Sequence, residues 1–117
     1  MAKVFAAADI GSNTLHLLVS EASGKGLKRM VNESEWLSLG EIVSREGVIP
    51  EPLVERLVEV LRGFKRTAEA AKAESFYVFA TEAMRKADNC QSVLKRVKAA
   101  LGLEIELISP QREAELG

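Results

Sequence analysis

ADIGSNTLHLL, residues 8–18, is the stretch on which the fold turns. Small apolar residues suited to a buried strand run into Asp9, pass through Gly11-Ser12-Asn13, and return at once to an apolar strand from Leu15. Two strands around so short a connection make a hairpin. One reading stops there, because glycine and asparagine tolerate the positive φ that tight hairpin turns require. The other reading gives the turn a ligand. Successive backbone N–H groups in a turn form an anion-binding nest, and the Ser12 hydroxyl and Asn13 amide would add donors for a phosphate. Asp9 sharpens the choice, since it closes a strand with no cationic neighbour in the sequence. A carboxylate there is costly unless it is solvated, paired or bound to a cation. A phosphate-borne Mg²⁺ would serve, because magnesium is content with one or two carboxylates plus waters and phosphate oxygens.

Outward from this hairpin, residues 4–10 read as the first strand, 15–20 as the second and 27–33 as the third, with Ser23-Gly24-Lys25-Gly26 as a second hairpin turn. Residues 34–50, punctuated by Gly40, Gly47 and Pro50, read as a connection with one helical turn. From Pro50 the period changes. Leu53, Leu57, Val60, Leu61, Phe64, Ala68 and Ala71 fall on one face of a long helix whose acidic start suits the helix dipole. SFYVFAT (75–81) is a strand by its aromatic and β-branched content, and ATEAMR begins a helical stretch. Asp88-Asn89-Cys90-Gln91 has the pattern of a capping box before a helix carrying Val93, Leu94, Val97 and Leu101 and ending at Gly102. LEIELIS (103–109) alternates as a fifth strand, and Pro110 opens a last helix that includes Glu113.

The order is thus βββαβαβα. Right-handed crossovers put the fourth and fifth strands beside the first, giving an α/β fold with a five-stranded mixed sheet of order 3-2-1-4-5 and helices packed on it. Ligands of open α/β sheets collect at the carboxyl ends of the strands. Here those ends are Asp9-Ile10-Gly11, Ala80-Thr81 and Ile108-Ser109. Arg85, four residues beyond Thr81, is either a surface residue or a bidentate fork for phosphate. Glu113 either answers the dipole of the last helix or is a general base that activates water.

Composition narrows the classes. The 117 residues are 47% apolar and 28% charged, with 16 basic and 17 acidic side chains, so neither a disordered chain nor a basic nucleic-acid binder is expected. One domain, residues 1–117, accommodates this length. The lone Cys90 allows no intrachain disulfide, and the N-terminus has no signal peptide or membrane span, so a cytoplasmic protein is expected. Walker, GxGxxG and HExxH patterns are absent. The single histidine, His16, cannot build a histidine metal site, and Trp36 and Tyr77 are too scattered to stack bases.

Three segments carry a resemblance. DIGSNTLHLLV (9–19) looks like the first phosphate motif of the exopolyphosphatase / guanosine pentaphosphate phosphohydrolase (Ppx/GppA) family, in the actin-like ATPase superfamily with its ribonuclease H-like half-folds. FATEAMRKADN (79–89) resembles that family's second signature, A-T-S-A-x-R-x-A-x-N, and IELISPQREAEL (105–116) its third, I-E-(V/I)-I-S-G-x-E-E-A-x-L. The resemblance implies removal of a terminal phosphate from inorganic polyphosphate or from pppGpp, with a divalent cation such as Mg²⁺ assisting. By position it implies Asp9 for the metal, Gly11, Ser12 and Asn13 for the first phosphate loop, Thr81 and Arg85 for the second, and Glu113 as the catalytic glutamate. Departures are Glu82 in place of serine, Pro110-Gln111-Arg112 in place of glycine and acid, and Ser38 where an arginine is common. The family also has a second domain, with a Gly-rich second phosphate loop, beyond the length of this chain. The resemblance therefore implies that the chain supplies the N-terminal half of a two-domain site and alone is a weak or inactive enzyme, its partner being that C-terminal domain or a self-associating copy. The alternative is a non-catalytic phosphate-binding or protein-interaction module with an apolar, self-associating face. A sugar- or acetate-kinase-like ATPase ranks below both.

Overall fold

The structure, a computed structural model, describes residues 3–108. Strands β1 (Lys3–Ile10), β2 (Thr14–Ser23) and β3 (Gly26–Trp36) form an antiparallel meander, followed by helices α1 (Leu39–Glu46) and α2 (Glu51–Ala70). Strand β4 (Ser75–Ala80), the short α3 (Glu82–Arg85), α4 (Cys90–Leu101) and strand β5 (Ile105–Leu107) complete the described chain. The sheet order is β3-β2-β1-β4-β5, with β4 parallel to β1 and β5 parallel to β4. This is the ribonuclease H-like plan expected from the sequence. Ser109, the expected end of the fifth strand, and the expected final helix from Pro110 with Glu113 lie outside the described residues.

Register decides which side chains share a face. Ala6, Ala8 and Ile10 of β1 pair with Val19, Leu17 and Leu15 of β2, and all six are buried. Val78 and Ala80 of β4 continue this face. The small alanines let the helices approach the sheet closely, and Leu53, Val54, Leu57, Val58, Leu61, Phe64 and Ala68 of α2 pack into the same cluster. Burying a leucine such as Leu57 or Leu61 contributes about 1.5–3 kcal/mol. Val54 and Val58 thus belong to the stripe, while Val60, expected on it, is only partly buried. The opposite face of the sheet carries Phe5, Ala7, Asp9, Tyr77 and Phe79, and among the described residues no helix covers it. Tyr77 is 55% exposed and stacks near Phe79, with ring centroids 6.4 Å apart.

Three local expectations are corrected. The connection after β3 holds a full eight-residue helix, not one turn. Leu39 and Val43 are buried one turn apart, and Gly47, at φ 77°, ends α1 by donating its N–H to the Val43 carbonyl at 2.8 Å. That left-handed stop favours glycine. The capping box at residues 88–91 does not form. Asn89 sits at the N-cap of α4 without a side-chain cap bond, because its amide instead clips Ile49. Its Nδ2 donates to the Ile49 carbonyl and its Oδ1 accepts the Ile49 N–H, both at 2.9 Å. Finally, neither Gly11 nor Asn13 adopts positive φ. The hairpin between β1 and β2 is not one of the left-handed turns that glycine and asparagine usually serve.

Candidate functional site

With no left-handed residue in the Gly11-Ser12-Asn13 connection, ordinary turn chemistry does not explain its composition. Close approach does. A Cβ on Gly11 would meet the Thr14 carbonyl oxygen at 3.3 Å, which is tighter than ordinary contact, and the Gly11 N–H donates to that oxygen at 3.0 Å. The connection is then braced from outside by the start of α1. Asn13 O accepts from the N–H groups of Leu37 (2.7 Å) and Ser38 (3.0 Å), and Ser12 O accepts from Gly40 N–H (2.7 Å). Because a peptide plane points its C=O and N–H in opposite directions, carbonyls engaged by α1 turn the N–H groups of Asn13 and Thr14 away from it.

This brace explains Gly40, which reads in the sequence as a helix breaker. An ideal Cβ there would lie 1.9 Å from Ser12 Oγ and 3.1 Å from Ser12 Cβ, so only glycine lets the hydroxyl sit against the helix. Beside it, Ser38 occupies the left-handed region at φ 53°, ψ 36°. A non-glycine residue held there stores strain, which folded chains keep where the surroundings impose it. Here the surroundings are the hydrogen bonds to Asn13.

The second expected cluster meets the first. Thr81 N–H donates to the Ile10 carbonyl at 3.3 Å and its hydroxyl reaches the same oxygen at 3.4 Å, while Ile108 N–H donates to Ala80 O at 2.9 Å. The carboxyl ends of β1, β4 and β5 therefore stand side by side. Between the ends of β1 and β4 and helix α1 opens a cavity of about 610 Å³ lined by Ser12, Gly40, Val43, Ser44, Thr81, Glu82, Ala83 and Lys86. Its walls are fastened at their far ends, since Asp88 N–H donates to Gly47 O at 2.8 Å beside the Asn89–Ile49 clip.

Ser12 and Thr81 thus share one cavity, with Gly11 and Asn13 adjoining it through the chain. Arg85 is exposed on α3 and is not in the lining. Lys86 is, and it pairs with Glu82 across one helical turn at 3.2 Å. Glu82, the departure from the family's serine, therefore carries its own counter-charge. Sequence reading missed Ser44, Lys86 and the role of Gly40. A close-packed glycine on α1 leaves no periodic signal, and Lys86 stands where no motif marks it.

Asp9 lies on the uncovered face of the sheet, cross-strand from His16, and is exposed rather than buried as its strand position suggested. Partial desolvation raises its pKa above the usual 3.8, and the His16 charge pulls it partly back. His16 Nε2–H donates to Asn32 Oδ1 on β3, so the histidine is a hydrogen-bonded strand residue. Among the described residues Asp9 has no lysine or arginine partner, and no three His, Cys, Asp or Glu side chains cluster as a metal site. One unpaired carboxylate fits a cation that arrives on a phosphate and brings its other ligands with it. Cys90 is buried and burial raises its thiol pKa, which keeps it an unreactive core residue. No helix among the described residues is long and apolar enough to cross a membrane.

Comparison with known proteins bears on this geometry. The sequence model of the Ppx/GppA phosphatase family matches residues 17–117. An uncharacterized protein of Streptomyces coelicolor is 38% identical over 109 residues, a stretch that covers 92% of this chain and 32% of that protein. Exopolyphosphatase 1 of Mycobacterium tuberculosis is 31% identical over 109 residues with the same coverage. The crystal structure of the Aquifex aeolicus Ppx/GppA family member superposes with a TM-score of 0.92 at 32% identity, covering 97% of this chain and 37% of that one. An exopolyphosphatase from Cytophaga hutchinsonii superposes with a TM-score of 0.91 at 28% identity, covering 97% and 36%. The chain spans about a third of the length of these relatives.

Proposed function

The chain belongs to the Ppx/GppA phosphatase family, and from that premise we propose that it forms the N-terminal half of a phosphoanhydride hydrolase acting on inorganic polyphosphate, pppGpp, or both. The single observation that carries this reading is the common cavity of Ser12 and Thr81 at the carboxyl ends of β1 and β4. In it the terminal phosphate takes hydrogen bonds from the Ser12 and Thr81 hydroxyls, with Gly11 and Asn13 shaping the first loop and Arg85 reaching in from outside the lining. Glu113 takes a proton from the attacking water as its oxygen bonds to phosphorus and the bridging P–O bond breaks. Asp9, at the end of β1, is the residue that would hold a divalent cation, which would supply neutralising charge to the phosphate.

Relatives about three times longer support a second domain closing the cavity. The 117-residue chain alone then hydrolyses polyphosphate weakly or not at all. The experiment is phosphate release from polyphosphate and from pppGpp with Mg²⁺, wild type against Glu113→Ala. Loss of release in the variant supports the assignment, and equal non-zero rates remove Glu113 from it. A second reading, a phosphate-binding or protein-interaction module, is favoured by the exposure of Phe5 and Tyr77 on the uncovered sheet face. Binding of polyphosphate without turnover, together with concentration-dependent self-association, would select it.

A further inference from the structure

Among the described residues the cavity has one cationic and one anionic side chain in its lining, Lys86 and Glu82. They are paired with each other, Nζ to Oε1 at 3.2 Å, in the order along the helix that favours such contacts. Both side chains are well exposed, at 66% and 50%. Water screens a pair of this kind, so little holds it closed. An anion lodged near Ser12, Ser44 and Thr81 meets these two charges first. Lys86 attracts it, Glu82 repels it, and any phosphate that recruits Lys86 must take it from Glu82.

Resting on the phosphate-site reading above, we propose that Lys86 is the binding cation of this cavity and that Glu82 is its internal competitor, so that an anion binds by taking the ammonium from the carboxylate. Glu82 opposes the anion twice, by its own repulsion and by holding Lys86. The repulsion grows with the charge of the anion, while the cost of parting the pair is the same for every anion. Lysine suits this exchange because it is a mobile point charge and not a fixed fork.

The test is calorimetric titration of the 117-residue chain with tripolyphosphate and with orthophosphate at low and at physiological salt. Lys86→Gln should weaken tripolyphosphate binding about tenfold and flatten its salt dependence. Lys86→Arg keeps the charge and should stay within about twofold of wild type. Glu82→Gln should tighten both anions severalfold, tripolyphosphate at least as much as orthophosphate. In a Lys86→Gln background that gain should shrink, which a purely repulsive Glu82 would not show. Unchanged affinity in Lys86→Gln, in a wild type that binds tripolyphosphate, overturns the assignment of Lys86 and leaves the phosphate site standing. Weaker binding in Glu82→Gln overturns the competitor role. Absence of binding at millimolar tripolyphosphate in wild type and Glu82→Gln alike overturns the phosphate-site reading itself, and this assignment with it.

Discussion

Gly40→Ala probes the brace between α1 and the first loop. The new Cβ would fall 1.9 Å from Ser12 Oγ, 3.1 Å from Ser12 Cβ and 3.4 Å from Ser12 O. The hydroxyl can rotate away, but the Cβ and carbonyl contacts require a backbone shift of a few tenths of an ångström. Overpacking of this kind costs about 1–3 kcal/mol, and alanine recovers about 1 kcal/mol of helix propensity. Net destabilisation of about 0–2 kcal/mol follows, small enough for the chain to remain folded. Anion binding should suffer more. A hydrogen bond from Ser12 to a charged phosphate is worth about 1.5–3 kcal/mol, so its loss weakens binding roughly 10- to 100-fold. Calorimetry with tripolyphosphate and Mg²⁺ reads the second effect, and urea unfolding reads the first. Ser12→Ala should give a similar loss of affinity, and the double variant little more than either alone. Gly63→Ala is the control, because nothing lies within 4 Å of a Cβ there. It should add roughly 0.5–1 kcal/mol of stability without touching affinity. Gly40→Ala behaving like Gly63→Ala in both measurements, while Ser12→Ala abolishes binding, would refute a role for the brace in anion binding.

Asp9→Asn should stabilise the chain at neutral pH. Because the folded chain holds the Asp9 proton to a pH above the usual 3.8, the unfolded chain releases it first and stability falls as pH rises through that interval. The variant escapes this loss, so its advantage in urea midpoint should appear as pH rises above 3.8, level off once Asp9 is ionised in the folded chain, and vanish below 3.8; a wild type more stable at neutral pH would contradict the assignment. Asn89→Ala removes both bonds to Ile49, and unfolding should show a loss of about 1–3 kcal/mol, whereas a loss within 0.5 kcal/mol would mean that the clip is ornamental. Arg85→Ala, at an exposed position on α3, should leave stability within about 0.5 kcal/mol while weakening tripolyphosphate binding; unaltered affinity would remove Arg85 from the site.

Sheet order was legible because three strands joined by glycine-marked turns, followed by two strand–helix crossovers, leave few arrangements open. The long helix was legible because its apolar period was sustained over twenty residues. α1 was not, because Gly40 masks its own helix: the signal that ordinarily breaks a helix is there for contact with Ser12. The Asn89 amide was misread for a related reason. Its letters fit a local cap, and its actual partner, Ile49, is forty residues away. Ser12 and Thr81 were legible as cavity residues because strand ends fix them. Lys86 was not, since which side of a one-turn helix faces the cavity depends on how α3 sits against α1.

On the proposed function, residues 11–14, 40–44 and 81–86 surround one anion. Backbone amide NMR of the ¹⁵N-labelled chain, titrated with tripolyphosphate and Mg²⁺, tests it most directly. Saturable shifts concentrated at Ser12, Asn13, Gly40, Ser44 and Thr81 are the expected result. Shifts confined to the uncovered sheet face around Phe5 and Tyr77, with these amides unmoved, would contradict it.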